Sequence, residues 1–509
     1  VVIAAYFTIF ANDYVFDDTG FILGNVLNHK SLKNIPQFFN SPTGELYRPV
    51  RSVAYAVTYF IWGTNSFGYH LNSILFHTAC TVLVYLIALS ILNESSGALF
   101  TALFFALLPI HTESVTFMTA AFDLIGPVFF FLSLYLYIKS REHPGISYPL
   151  SLVSFAIAAF SSEMTLTLPL VLILFDWYST SEFKFKKYLP FFIIAAVYVS
   201  VRFLALNITS RAYTGHYLAY SRYWTLLTMT KVFVYYVWLL FIPKINSQPD
   251  YEDYFKMATA FSEPGVIAST LFLLSLVLVA MLVYKKNRVV SFAICWFFIT
   301  LLPVSNIIPM KNIMAERHLY IPSLAACVVL PIMLKKIFSK NARAFTFSAV
   351  LLLVIYGSFT VKRNTDWRNG LSLWSAALKN LPDSGKAHTG LGVYYAKIKQ
   401  FDKAISYFSR LRQMDPDDIE NLYNLGTAYL DKGDYEKSIE IFNEVLKFNP
   451  RDTGALARIG MLYTKIGTMY FEKGQIDEAI AALRKSIETC PNFDAYLNLG
   501  AIYANKGLQ

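Results

Sequence analysis

Two neighbouring carboxylates, Asp17 and Asp18, follow Tyr14-Val15-Phe16 at the mouth of an apolar segment. Ionised side by side they repel, and near a bilayer each also loses hydration. One of them should therefore hold its proton more tightly than a free aspartate unless a cation or hydrogen-bond donors compensate. That is how a general base is tuned. A solvated loop carrying two acids would read the same in isolation, so the other polar clusters matter. Tyr47-Arg48-Pro49, His111-Thr112-Glu113, Ser162-Glu163 and Ala315-Glu316-Arg317 are compact and stand at the ends of apolar runs. A guanidinium matches phosphate oxygens through two parallel hydrogen bonds, so Arg317 and then Arg48 are the candidate anion binders, although an interfacial Arg can equally neutralise its neighbour Glu316 or reach for the interface. His111-x-Glu113 has metal-ligand residue types, but zinc on a helix prefers a spacing of four. His70 and His77 share one helix face and read as core histidines, and Glu163 and Asp176 also fit structural ion pairing.

The elements that must hold these groups are largely membrane helices. The 509 residues are 55% hydrophobic and only 15% charged, which lies outside the soluble norm. A formal net charge of +10 fits a positive-inside bias, because no Lys/Arg block is interleaved with aromatics as single-strand nucleic-acid binding requires. Cys80, Cys295, Cys327 and Cys490 are scattered and indicate neither a disulfide framework nor structural zinc. Residues 1–12 are expected to be the tail of a first span, and 12–66 an outer loop with short surface helices. Apolar segments follow at 67–92, 98–110, 115–138, 148–161, 164–178, 188–206, 223–243, 264–284, 290–308, 319–338 and 344–361.

The basic clusters sort these segments. With Asp17 and Asp18 outside, Lys139/Arg141 and Lys184/Lys186/Lys187 fall inside. Lys285/Lys286/Arg288 and Lys335/Lys336/Lys340/Arg343 join them only if 223–243 does not cross. That segment carries Lys231 at its centre, a charge costing roughly 2.5–3.5 kcal/mol at mid-bilayer. It is read as a re-entrant or surface helix, leaving about eleven spans and placing every polar cluster, and the residues after 361, on the side of the acid pair.

Beyond 361 the composition becomes that of soluble helices and a 34-residue period sets in. Pro382, Pro416 and Pro450 recur at that spacing, as do Trp367, Phe401 and Tyr435, with Gly392 and Gly426 at the close approach of paired helices. From Gly426 to Gly467 and from Pro450 to Pro491 the step is 41. Seven extra residues are nearly two helical turns and predict a lengthened helix over about 454–471. Counting back 34 from Gly392 reaches Ser358, so the last span is expected to serve as the first helix of the first repeat. The pattern is expected to run on past Gln509. The organisation is thus all-α: a membrane domain over 1–361 and a tetratricopeptide-repeat α-solenoid over 362–509.

Taken together, these motifs resemble the transmembrane-and-tetratricopeptide-repeat O-mannosyltransferases and their prokaryotic relatives, within the GT-C superfamily of lipid-carrier glycosyltransferases. The resemblance is carried, in the family's order, by Asp17-Asp18 with Asn25, Tyr47-Arg48-Pro49, Gly68-Tyr69-His70-Leu71-Asn72, the His-Thr-Glu segment at 109–115, the Ala-Glu-Arg segment at 315–323, and Asp366-Trp367-Arg368. The chain departs from the family's Gly-Arg-x-Asp at Ala120-Ala121-Phe122-Asp123 and from its Ser-Lys-Glu at Ser161-Ser162-Glu163, so two cations are absent.

The resemblance implies transfer of a sugar, mannose in the family, from a polyprenyl-phosphate carrier to Ser/Thr hydroxyls of a protein held by the repeat groove. Asp17 or Asp18 would be the base and its neighbour would orient it or a divalent cation, Mg²⁺ or Mn²⁺. Arg48, His111, Glu113, Glu163, Glu316, Arg317 and Tyr320 would bind substrate. No general acid is obligatory, because phosphate leaves as a stabilised anion, and a direct displacement inverts the anomeric carbon. Site and repeats would face the outside of a bacterial or archaeal cell membrane, or the lumen of an ER membrane. Three rivals are weighed. A lipid or cell-wall glycan acceptor leaves the repeats without a task, since a concave solenoid suits an extended polypeptide. A proton-coupled transporter would carry its acids at mid-bilayer. A non-catalytic repeat scaffold would not need so many spans.

Overall fold

This computed structural model describes residues 1–24, 31–41, 47–179, 183–206, 221–308, 310, 312–339, 341–505 and 507. Asn25 lies outside them. Among the described residues every regular element is a helix, in two compact units, Val1–Asn380 and Leu381–Gln509.

Among the described residues of the first unit, five helices are long and apolar enough to cross a membrane: Ser66–Leu92, Met118–Lys139, Arg222–Phe241, Pro264–Val283 and Ala342–Asp366. Shorter apolar helices include Ser95–Leu107 and Arg288–Val304. Ser66–Leu92 buries Ile74, His77, Cys80, Val84, Ile87 and Ile91, the three-and-four spacing of one face, while Leu75 and Val82 on other faces are exposed and equally apolar. Pro264–Val283 goes further: only 11% of its apolar window is buried, and Leu271, Leu274, Leu278 and Leu282 are bare. A water-facing helix would not be stable in that state, so its natural solvent is hydrocarbon.

Arg222–Phe241 satisfies the length and composition of a span and buries Met229, Val232, Leu239 and Leu240 in the apolar core, yet it also makes polar contacts near its middle. Lys231 Nζ donates to the Lys256 carbonyl at 2.8 Å, and the Ala258 N–H donates to Thr228 Oγ1 at 2.9 Å. The charged stretch 250–258 thus lies along the middle of this helix.

The helix Ala342–Asp366 runs past the end of the apolar core, and Gly370–Asn380 folds back within the same unit. Residues 362–380, assigned by their period to the repeats, therefore pack with the membrane helices. The second unit is a run of paired helices. Ser384, Asp418, Asp434 and Asp452 each cap a helix by accepting from the N–H three residues on, at 2.9–3.3 Å. Gly392 and Gly426 are required by close approach: a Cβ would stand 2.4 Å from the Phe408 ring and 2.9 Å from that of Phe442. Thr453–Glu472, at 20 residues against 14 for Ile419–Lys432, is the lengthened helix that the 41-residue step implies.

Candidate functional site

The site is built where helices of the first unit break. Between Leu107 and Ile125 the chain is cut into the short helices His111–Thr116 and Met118–Ala121 and the turn Phe122–Leu124. Short helices leave their first N–H groups without intrahelical partners. The acids of the site supply them. Asp18 Oδ1 accepts from the Thr119 N–H at 2.8 Å and from Thr119 Oγ1 at 2.7 Å, and its Oδ2 accepts from the Val15 N–H at 3.2 Å. Glu113 does the same for the turn Glu316–Leu319: its Oε2 accepts from the Arg317 N–H at 3.0 Å, and its Oε1 pairs with the Arg317 guanidinium.

Asp17 and Asp18 face different environments. Phe16 has a φ of +53°, and the reversal leaves Asp17 exposed while Asp18 is wholly buried. Burial pushes the Asp18 carboxyl up to about 7; hydrogen bonds from Thr119 and Val15 oppose this and the charge of Asp17 adds to it.

From Asp18 a chain of hydrogen bonds and ion pairs runs across the unit. The Thr119 carbonyl accepts from Arg51 Nη2 at 3.1 Å and from Tyr55 OH at 3.0 Å. Arg51 and Arg48 share Asp123 Oδ1, at 3.0 and 2.8 Å. Arg48 Nε reaches Glu163 Oε2 at 2.7 Å, and Glu163 also pairs with Arg202. Burial would raise the Glu163 carboxyl, but Arg48 and Arg202 outweigh it and hold it at about 2. Arg48 stands at the N-cap of Pro49–Trp62, where the helix dipole disfavours a cation, so these two carboxylates are what keep it there. Arg317 lies within electrostatic reach of both Arg48 and Asp123, and 25% of its side chain remains exposed.

The residues expected to bind substrate thus separate. Arg48 pairs with Glu163 and Arg317 with Glu113, and the two arginines lie within electrostatic reach of each other. Glu316 is buried, paired with Arg363, and accepts from Tyr251 OH at 2.5 Å. His111 and Tyr320 are core groups rather than site-lining ones: His111 Nδ1 faces the Phe105 carbonyl and Nε2 faces Ser323 Oγ, both at 2.9 Å, while Tyr320 OH meets His77 Nδ1 at 2.6 Å. Both rings are fully packed and help to hold the Ala315–Ser323 stretch against Ser66–Leu92. Among the described residues no three His, Cys, Asp or Glu side chains converge as a metal site. Asp18 gives both its oxygens to Thr119 and Val15.

Five contributors escaped the sequence reading. Thr119 carried no signal. Arg51 stood inside the Tyr47–Arg51 run and Asp123 at the Asp of the departed motif, and both were legible as neighbours of chosen residues. Arg202 was one Arg at the end of an apolar segment. His318 occupies a variable position of the Ala-Glu-Arg motif; it is buried, its Nδ1 is 3.1 Å from Tyr236 OH, and burial and the charges of Arg317 and Arg48 hold its pKa well below the usual value. The two cations missing from the motifs are matched here by guanidinium groups from elsewhere, since Asp123 and Glu163 each hold two.

Family models described as tetratricopeptide repeats match residues 362–419 and 395–466, and one described as TPR repeat matches 467–507. Among curated proteins, "Protein O-mannosyl-transferase F38B6.6" of Caenorhabditis elegans is 25% identical over 77% of this chain and 58% of its own length. "Protein O-mannosyl-transferase TMTC3" of Homo sapiens is 24% identical over 82% of this chain and 51% of its own, and "Protein O-mannosyl-transferase TMTC1" of Homo sapiens 25% identical over 74% and 49%. The chain spans about half the length of the curated relatives it matches. A solved chain in "Crystal structure of APC/C hetero-tetramer Cut9-Hcn1" aligns at 14% identity over 82% of this chain and 98% of that one, with a TM-score of 0.22 that is too low to bear on the fold. Along most of its length the chain is thus similar to proteins named protein O-mannosyl-transferase, and its residues 362–507 match tetratricopeptide-repeat models.

Proposed function

We propose that the first unit transfers a sugar, mannose by analogy with the names of its relatives, from a polyprenyl phosphate to a Ser or Thr hydroxyl of a protein. The acceptor oxygen attacks the anomeric carbon, the bond to the phosphate oxygen breaks, and polyprenyl phosphate departs with the bonding pair. Asp17 takes the hydroxyl proton, and a single displacement inverts the anomeric centre. Asp18 fixes the turn from behind. Arg317, with Arg48 beside it, stabilises charge on the departing phosphate. The repeats hold the acceptor, and site and repeats face the extracytoplasmic side.

The observation that carries this reading is the pairing of an exposed Asp17 with a pinned Asp18, joined through Thr119 and Arg51 to partly exposed arginines. A phosphate leaving group needs cations and no acid, and a hydroxyl nucleophile needs a base; the chain of contacts from Asp18 through Thr119, Arg51 and Asp123 to Arg48 supports assigning both needs to this unit. The test is turnover of a polyprenyl-phosphate sugar by Asp17→Asn and Asp18→Asn. Asp17→Asn should insert and fold but lose about 10²-fold or more in transfer. Full turnover by both variants on a demonstrated substrate would remove the catalytic reading.

A further inference from the structure

Phe16 is a bulky residue in the left-handed region, a conformation that persists in such residues only where the surroundings impose it. The surroundings are aromatic and come from the far end of the unit. Its ring meets Trp374 edge-on at 5.5 Å and 79°, and Phe117 at 5.7 Å and 45°. Phe117 in turn stacks on Trp367 at 5.3 Å and 21°. Val15, next to Phe16, is buried in one cluster with Phe117, Trp367 and Leu373. The backbone is tied down at the same place: the Asp13 N–H donates to the Arg368 carbonyl at 2.9 Å, and Asn12 Nδ2 to the Asn364 carbonyl at 3.2 Å. Within the turn, the Asp18 N–H donates to the Val15 carbonyl at 3.0 Å.

We propose that Phe16 and Trp374 form an aromatic latch that positions Asp17, making the segment 364–374 a working part of the transfer site. Asp18 is anchored on Thr119 from one side. The direction in which Asp17 leaves the turn is then set by the backbone reversal at Phe16, and that reversal is held by the Phe16 ring seated against Trp374. The proposal rests on the reading of Asp17 as the base. It gives the Asp366-Trp367-Arg368 motif a task separate from repeat stacking: Trp367 is 1% exposed beneath the acid turn, and the Arg368 carbonyl holds Asp13.

A positioning role predicts a loss in turnover rather than in substrate binding, because a base displaced by about an ångström costs rate of order 10²-fold. Four full-length variants decide it, assayed with a polyprenyl-phosphate sugar and an acceptor peptide, with thermal unfolding as control. Phe16→Gly accepts a φ of +53° without strain but removes the ring, so the turn is allowed and no longer enforced. Phe16→Gly and Trp374→Ala should each lower kcat about tenfold or more while the donor KM stays within about threefold, and Trp374→Phe should keep kcat within about threefold of wild type. Asp17→Asn separates the two ideas. Wild-type turnover by Asp17→Asn removes the base, and the latch with it. If Asp17→Asn is inactive while Phe16→Gly and Trp374→Ala keep wild-type kcat, whatever their melting temperatures, the aromatic contacts are packing only and the latch is overturned. Should Trp374→Ala fail to fold, Phe16→Gly alone settles the question.

Discussion

The Asp18 carboxyl has no access to solvent and accepts three hydrogen bonds, so its ionisation sets burial against its donors. With burial as the larger influence its pKa lies near 7, against an ordinary 3.8. Between those values the unfolded chain has released a proton that the folded protein still holds. The stability this group contributes is therefore full below about pH 4, is lost as pH rises to about 7, and changes no further above. Thermal unfolding followed against pH should show that slope in wild type, and Asp18→Asn should lack it. Three donors are best met by the ionised form, so transfer is expected to fall off below pH 7. For the cations the argument is geometric. Glu113 holds Arg317 through both its side chain and its backbone N–H, which leaves the rest of a planar fork free for phosphate. Arg317→Lys is expected to weaken donor affinity by about tenfold to a hundredfold, as is Glu113→Gln through loss of orientation, both read by titration with the polyprenyl-phosphate sugar.

Helix breaks create the site. A single uninterrupted helix over 107–139 would satisfy its own N–H groups and offer nothing to Asp18, whereas the start of Met118–Ala121 presents the Thr119 N–H. The same logic places Arg317 at the start of a turn capped by Glu113. Arg222–Phe241 is the element whose topology governs the outside. Lys231 is bonded to the backbone of a charged loop, and Tyr236 OH lies 3.4 Å from the Ala315 carbonyl beside the site. Those contacts support the reading in which this helix stays on the side of the acids. In that case a cysteine replacing Asp418 should react with an impermeant thiol reagent from the extracytoplasmic side, and one replacing Ser179 should not. Reaction of the Asp418 position from the cytoplasm alone would mean that the helix crosses.

At the scale of the whole molecule the division at Asn380 matters most, because residues that carry the first repeat by sequence belong by packing to the unit that holds the acids. If chemistry resides in the first unit and acceptor recruitment in the second, removing 381–509 should leave binding of the lipid-linked sugar, and its slow hydrolysis by water, unchanged. Transfer to protein should then drop about 10²-fold, since the acceptor loses the effective concentration of being held. Undiminished transfer to a protein by the shortened chain would assign the repeats to assembly instead.

Some of this was legible without coordinates, for a physical reason. Hydropathy, charge at helix ends and a 34-residue period are properties of each stretch by itself, so Leu271 to Leu282 declare a lipid-facing helix and Gly392 and Gly426 declare close helix pairs wherever the chain then goes. Family motifs likewise single out Asp17, Asp18, Arg48, Glu113 and Arg317 as candidates from local sequence alone. What local pattern does not contain is the path of the backbone. Asp18 finds Thr119 at 101 residues' distance, and Arg48 finds Glu163 at 115. Asp17 is exposed and Asp18 buried on either side of a turn whose left-handed Phe16 meets the ring of Trp374, more than 350 residues away in sequence. His111 and Tyr320 have the residue types of a site and were drawn into the core, because burial belongs to the packed ensemble of helices and not to any one segment.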